Sequence, residues 1–311
     1  MIRVLLVSFP GEVRCAQWRI CHMKLGIDSY SFHRFFGETY AGIETDPGMR
    51  MTVWDFIDFA VAQEVEAVSL ESCFLPVGDN VLTSRLRHRL DAVGLDCVWA
   101  WGHPRGFHSG SAPEALESAV ASLMDAEAVG AKVMRICGGG RGTRPENWNV
   151  HKAALLGPLK ELLREAEARD ITLAVENHID LMTDEIIDLV ETLASPCFGI
   201  CLDTANNLRL YENPKHAIRR MAPYARATHI KDVIALDDNP HTIGFWPSVP
   251  TGEGLIDMRF VLDELALVGF EGVLAIEIDY LAPGYGGEHE AVNKSASYLR
   301  QLLENRPSRR I

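Results

Sequence analysis

Residues 171–232 hold three short apolar runs, I-T-L-A-V-E-N-H (171–178), F-G-I-C-L-D (198–203) and A-R-A-T-H-I-K-D (225–232), each ending in ionisable side chains. In an extended strand, successive side chains point to opposite faces. Thr172, Ala174 and Glu176 therefore share one face and Leu173 and Val175 the other. By the same parity Gly199, Cys201 and Asp203 oppose Ile200 and Leu202, while Ala225, Ala227 and His229 line up together. A fourth run, V-L-A-I-E-I-D (273–279), places Val273, Ala275 and Glu277 against Leu274, Ile276 and Ile278. The aliphatic faces suit packing against helices, and the small-residue faces suit the inside of a barrel.

Working outward, runs of the same kind stand at 25–29, 67–71, 96–101 and 133–137, making eight in all. Segments with apolar residues at spacings of three and four lie between them, including 115–129, 151–168, 184–193 and 258–268. Thr183 before Asp184 and Glu185, and Pro113 before Glu114, read as helix starts. Strict alternation of strand and helix implies a parallel sheet, and eight units without a linker predict an α/β fold, a single (β/α)8 TIM barrel. A doubly wound sheet is the alternative, but the G-x-G-x-x-G turn it would show after the first strand is absent. Gly138-Gly139-Gly140 implies no more than a tight loop.

The chain has 311 residues, 47% hydrophobic and 23% charged, which excludes disordered and disulfide-scaffold classes. A formal charge of −13 opposes binding to nucleic acid or to anionic lipid. The seven cysteines lack a complete zinc-ribbon spacing, although Cys197 and Cys201 could form half of one; they read as reduced core thiols in a cytoplasmic protein. Residues 1–22 open with M-I-R-V-L-L-V-S-F-P, a run too short to span a membrane and without a cleavage site after it. They are expected to be an N-terminal extension, with the barrel occupying residues 23–311.

In a parallel barrel the C-terminal strand ends converge on one mouth, where active sites of this fold lie. Glu176, Asp203, His229 and Glu277 would meet there as metal ligands, since three inward carboxylates are costly to bury without a cation. Three oxygens and one imidazole favour Mn²⁺ or Mg²⁺ before Co²⁺ or Zn²⁺.

The ordered set V-E-N-H (175–178), C-L-D-T (201–204), T-H-I-K-D (228–232), G-E-G (252–254) and I-E-I (276–278) resembles the xylose isomerase-like barrel superfamily. That group holds sugar isomerases and epimerases, inosose dehydratases and endonuclease IV. The resemblance implies that the Glu, Asp, His and Glu hold the metal, and that Glu176 and Glu277 form an acid/base pair. Two departures stand out: Asn206 occupies the place of an epimerase substrate histidine, and Ala235 the place of an arginine. Endonuclease IV needs a larger ligand set than this chain offers. What remains common is removal of a proton α to a keto-sugar carbonyl through an enediolate.

His178 shares the parity of Glu176 and is a candidate base; a loop histidine bonded to backbone is the competing reading. His103 and Trp101 are candidate substrate contacts, with core packing as the alternative for Trp99 and Trp101. Lys231 is a substrate-side candidate, or a lysine simply paired with neighbouring Asp232. Arg141 and Arg144 could hold a phosphate, or be surface charge. The stretch S-Y-S-F-H-R-F-F-G-E (29–38) with E-N-H (176–178) resembles the α subunits of C-glycoside deglycosidases. That resemblance implies a keto-sugar lyase eliminating an aglycone from a 3-oxo-glycoside beside a small β subunit. Other readings are a sugar or sugar-phosphate isomerase, epimerase or dehydratase, and a barrel that binds metal or carbohydrate without turnover. A homo-oligomer is compatible with each. Residues 237–254 are long enough to cover the mouth or to meet another chain.

Overall fold

A computed structural model describes residues 22–305, apart from 104 and 113. The expected extension lies almost wholly outside the described residues, as do Pro113, Cys15 and Cys21. Strands β1 (Lys24–Asp28), β2 (Ala67–Glu71), β3 (Asp96–Trp101), β4 (Val133–Ile136), β5 (Thr172–Glu176), β6 (Phe198–Asp203), β7 (Ala225–Ile230) and β10 (Val273–Ile276) close into a parallel barrel in which β1 pairs with β10. Helices α1 (Val53–Ala62), α2 (Asn80–Val93), α3 (Glu114–Val129), α4 (Trp148–Glu167), α5 (Thr183–Leu193), α6 (Pro214–Met221), α7 (Met258–Leu267) and α8 (Glu288–Glu304) alternate with them. The fold is thus a single (β/α)8 TIM barrel. Two short strands, β8 (Asp232–Val233) and β9 (Ser248–Val249), pair antiparallel above the seventh barrel strand.

The pairing register slips by about one residue per strand around the ring, so residues at equal height come from alternate strands. Followed round, the inward positions stack in layers. Ala67, Val133, Gly199 and Val273 lie lowest, then Gly26, Val98, Ala174 and Ala227, then Ser69, Arg135, Cys201 and Ala275. Above them come Asp28, Ala100, Glu176 and His229, and at the mouth Glu71, Cys137, Asp203 and Glu277. Small side chains fill the lower barrel, as one apolar cluster of Ala67, Val98, Ala174, Cys201, Ala227, Val273 and Ala275 shows. Nearly all the interior charge therefore collects at one end.

The same register corrects the reading of the tryptophans. Trp99 pairs with Leu70 and Met134, and Trp101 with Ile136, all on the face that meets the helices. The indoles of Trp99 and Trp101 donate to Ser122 Oγ (2.8 Å) and Ser118 Oγ (3.1 Å) on α3. Trp101 is a core residue and does not face the mouth. Trp101→Phe should cost about 1 kcal/mol, the worth of one buried hydrogen bond, in urea denaturation, and leave any catalytic rate unchanged.

Three smaller expectations are also revised. Thr183 is the first residue of α5 instead of its cap; Met182 caps it, its N–H donating to Glu185, while Thr183 bonds Glu212. Cys73 is exposed and so is no core thiol, and Cys97 and Cys197 are half-buried; all five described cysteines are free of disulfides. Arg144 is ion-paired with Glu185 at 2.6 Å and Arg141 binds His241, so neither is loose surface charge.

Candidate metal centre and barrel mouth

The four expected ligands converge. Glu176, Asp203, His229 and Glu277 each offer one atom, and these atoms all lie within 4.8 Å of one another. The residues are 1%, 0%, 1% and 3% exposed. Glu277 sits one residue beyond β10, and Glu176 and Asp203 end their strands, so the strand ends themselves position the set. Among the described residues, Glu176 Oε2, Asp203 Oδ2, His229 Nδ1 and Glu277 Oε2 are buried with no aligned hydrogen bond. His229 Nδ1 is 3.1 Å from Glu277 Oε2 and 3.5 Å from Glu176 Oε1, while its Nε2 lies 3.4 Å from Asp28 Oδ2. An imidazole held behind by a carboxylate presents its other nitrogen forward, an arrangement common among metal-ligating histidines.

Cationic side chains complete the site. Lys231 Nζ lies 2.9 Å from each of Asp203 Oδ2, Glu277 Oε2 and Asp279 Oδ2. This overturns its expected pairing with Asp232, which instead accepts the N–H groups of Gly252, Gly254 and Ile256. A Cβ at Gly254 would stand 2.1 Å from Asp232 Oδ1, which accounts for the G-E-G spacing. Burial disfavours the Lys231 ammonium, but Asp203, Asp279 and Glu277 outweigh it and hold its pKa well above the usual lysine value. Arg209 reaches Asp279 at 3.3 Å.

Arg135, buried beneath the mouth, places Nε 2.8 Å from Glu176 Oε2 and Nη1 3.4 Å from Glu71 Oε1. Burial raises the Glu176 pKa, yet Arg135 and His229 more than offset it and keep the carboxyl well below its ordinary range. Burial pushes Glu71 up to about 7, with Arg135 opposing and Asp28 adding to the rise. With Glu71 set apart and His229 neutral, as a ligand must be, the carboxylates of Asp28, Glu176, Asp203, Glu277 and Asp279 face Arg135, Lys231 and Arg209 among the described residues. One divalent cation would cancel that difference, and the convergence of four buried ligand-type side chains makes the donor set a good fit for such an ion.

The remaining expected residues divide. Asn206 Nδ2 donates to Glu176 Oε1 at 3.0 Å, and its own N–H binds Asp203 Oδ1. His178 Nδ1 bonds Gly139 O at 2.8 Å, so the backbone-bonded reading holds for that nitrogen, while Nε2 stays available. Burial lowers its pKa below the usual histidine value, with Glu176 pulling the other way. His103 stands at the rim, its Nε2 2.6 Å from Glu38 Oε1 and its ring against Tyr30. The long segment before G-E-G folds back: His241 meets Arg141 Nη1 at 3.0 Å and the Tyr211 hydroxyl at 3.2 Å, and Ser248 Oγ receives the Asp279 N–H.

Sequence reasoning missed Arg135, Glu71, Asp28, Asp279 and Arg209. For three of them a signal existed: Asp28 shares parity with Gly26, Glu71 with Ala67 and Ser69, and Arg135 with Val133, the same small-face pattern that pointed to the four converging groups.

A closed parallel barrel with convergent buried ligand groups at its C-terminal strand ends defines a barrel with a candidate metal centre. A model of the xylose isomerase-like TIM barrel family matches residues 57–302, and the chain belongs to that family. Over 140 residues it is 29% identical to the uncharacterized protein YihM of Escherichia coli (strain K12), covering 43% of this chain and 42% of YihM. Over 103 residues it is 32% identical to 3-oxo-isoapionate decarboxylase of Pectobacterium atrosepticum, covering 33% of this chain and 37% of that protein. The chain thus matches less than half the length of either relative. Among solved structures, the xylose isomerase domain protein from Planctomyces limnophilus aligns with TM-score 0.71 and 19% identity, over 91% of this chain and 97% of that one. The IolI protein with a bound zinc atom aligns with TM-score 0.68 and 14% identity, over 91% and 98%. Among the described residues, no helix is long and apolar enough to cross a membrane.

Proposed function

We propose that this chain is a divalent-metal-dependent enzyme that removes the proton α to a keto-sugar carbonyl, and that it completes a β-elimination from a 3-oxo-glycoside in the manner of a C-glycoside deglycosidase. The observation that carries the reading is the convergence of four buried ligand-type side chains, with one atom of each within 4.8 Å of the others, beside a histidine tethered through Nδ1 alone. Glu176, Asp203, His229 and Glu277 would hold the ion, Mn²⁺ before Mg²⁺, Co²⁺ or Zn²⁺. When bound, such an ion acts as a Lewis acid on a substrate carbonyl.

The protein's own groups supply the rest. His178, neutral at pH 7 and tethered through Nδ1, takes the α-proton at Nε2. Lys231 turns its donors to substrate oxygens once Asp203 and Glu277 are engaged as ligands. Asn206 orients Glu176, and His103 at the rim meets sugar hydroxyls. Asp28 keeps His229 Nδ1 directed at the centre; Asp28→Asn should weaken Mn²⁺ binding about 10- to 100-fold by calorimetry.

A sugar isomerase, epimerase or dehydratase would use the same proton abstraction, and the match to the xylose isomerase-like family supports that second reading. The partial match to a decarboxylase whose name specifies a 3-oxo substrate supports 3-oxo chemistry under either reading. The test is solvent deuterium exchange at the α-carbon by the Mn²⁺-loaded protein, comparing 3-oxo-C-glucosides with free ketoses. Exchange and aglycone release from the glucosides support the lyase; exchange only with ketoses supports the isomerase. Absence of exchange with every keto sugar, with or without a small partner subunit, leaves a binding barrel.

A further inference from the structure

The barrel wall across from the candidate metal centre carries a second buried carboxyl group that the proposed mechanism leaves unused. Glu71 ends β2, four strands round the ring from β6, and stands at the height of Asp203 and Glu277 in the mouth layer. It is 1% exposed, and neither carboxyl oxygen has an aligned hydrogen bond. Arg135 Nη1 stands 3.4 Å away, outside the range of about 2.7–2.9 Å for a charge-assisted bond. The backbone is pinned, since the Glu71 N–H donates to Ser29 Oγ at 2.8 Å. A buried carboxyl group left in this state is costly, so its position calls for a partner that arrives with the substrate. Below it, in the next layer, the side chain facing His229 is only the methyl of Ala100.

We infer that Glu71 is the general acid that protonates the departing group. The inference rests on the lyase reading given above. His178 Nε2 takes the proton from the carbon α to the carbonyl, and the C–H electron pair becomes the new C=C bond. The bond from the β-carbon to the departing atom breaks, with its pair on that atom. The Glu71 carboxyl O–H supplies the proton there, leaving a neutral aglycone and a carboxylate beside Arg135. Proton exchange with solvent returns His178 and Glu71 to their starting forms. The acid thus acts from the wall opposite Asp203, while the base belongs to β5's loop beside the ligands.

The test compares two probes on the Mn²⁺-loaded full chain: methyl 3-oxo-β-D-glucoside, whose methoxide must be protonated to leave, and 4-nitrophenyl 3-oxo-β-D-glucoside, whose phenolate need not be. Glu71→Gln should slow elimination of the methyl glycoside about 10²- to 10⁴-fold, the usual contribution of a positioned acid, and change the nitrophenyl rate less than about tenfold. Mn²⁺ content should match the wild type. If Glu71→Gln loses its metal, Glu71→Asp is assayed with the same pair and the same contrast is expected. Equal slowing of both probes, or no slowing of the methyl glycoside, overturns the inference while the lyase reading stands. A wild-type protein that eliminates neither probe overturns the lyase reading and this inference with it.

Discussion

Asp203→Ala is expected to abolish stoichiometric Mn²⁺ retention, with affinity falling more than about 100-fold, beyond the range seen when only a supporting partner of a ligand is removed. The size of the effect follows from what this one side chain does. One carboxylate oxygen is among the four converging atoms, and Oδ1 accepts the N–H groups of Ala205 and Asn206 at 2.7 and 2.8 Å. Losing it removes a ligand and frees the turn carrying Asn206, whose amide holds Glu176. It also strips Lys231 of one of three carboxylate partners, leaving the ammonium closer in charge balance to Glu277 and Asp279 alone. Metal analysis of the dialysed protein and titration calorimetry with Mn²⁺ both report on this. Metal content equal to that of the wild type would refute the assigned ligand set.

His178→Gln should reduce α-proton exchange about 10²- to 10⁴-fold with Mn²⁺ content intact, because the side chain is outside the ligand group. The pH profile gives an independent reading. Burial pulls the His178 pKa below the usual 6.5, so the neutral base is present at pH 7 and is lost as pH falls through that lowered value. The wild type should therefore show an acid limb below 6.5 that the Gln variant lacks. Glu277→Gln should lower exchange and metal retention together. A barrel that binds without turnover would show no exchange to lose in either variant.

The barrel was legible because its strands carry two messages at once. In T-L-A-V-E and V-L-A-I the aliphatic residues alternate with small ones, and only a closed sheet wrapped in helices gives both faces a use. The convergence of Glu176, Asp203, His229 and Glu277 was legible for the same reason, since each follows the small-residue face to a strand end. The tryptophans of D-C-V-W-A-W were misassigned because parity shows which residues share a face without showing which face is inside. Pairing of Trp99 with Leu70 and Met134 decides it.

Lys231 illustrates the other kind of failure. Adjacent in sequence to Asp232, it invited a local pairing, but neighbours along a strand point to opposite sides. Its partners come from β6 and from the chain just after β10. Arg135 and Glu71 likewise approach to 3.4 Å from strands separated in the chain by α2, β3 and α3, and nothing local to either marks the other.

By itself, the sequence determined the alternation of strands and helices, the single barrel and the identity of four converging ligand groups. These depend on side-chain periodicity and on the alternation of strand and helix, both of which are local properties of the chain. Only the tertiary structure decided which cations neutralise the mouth, that Trp101 belongs to the core, that His178 is held through one nitrogen, and that Glu71 stands across from Asp203. Those relations depend on the register between strands and on distances across the ring, which long-range closure sets and no stretch of sequence carries alone.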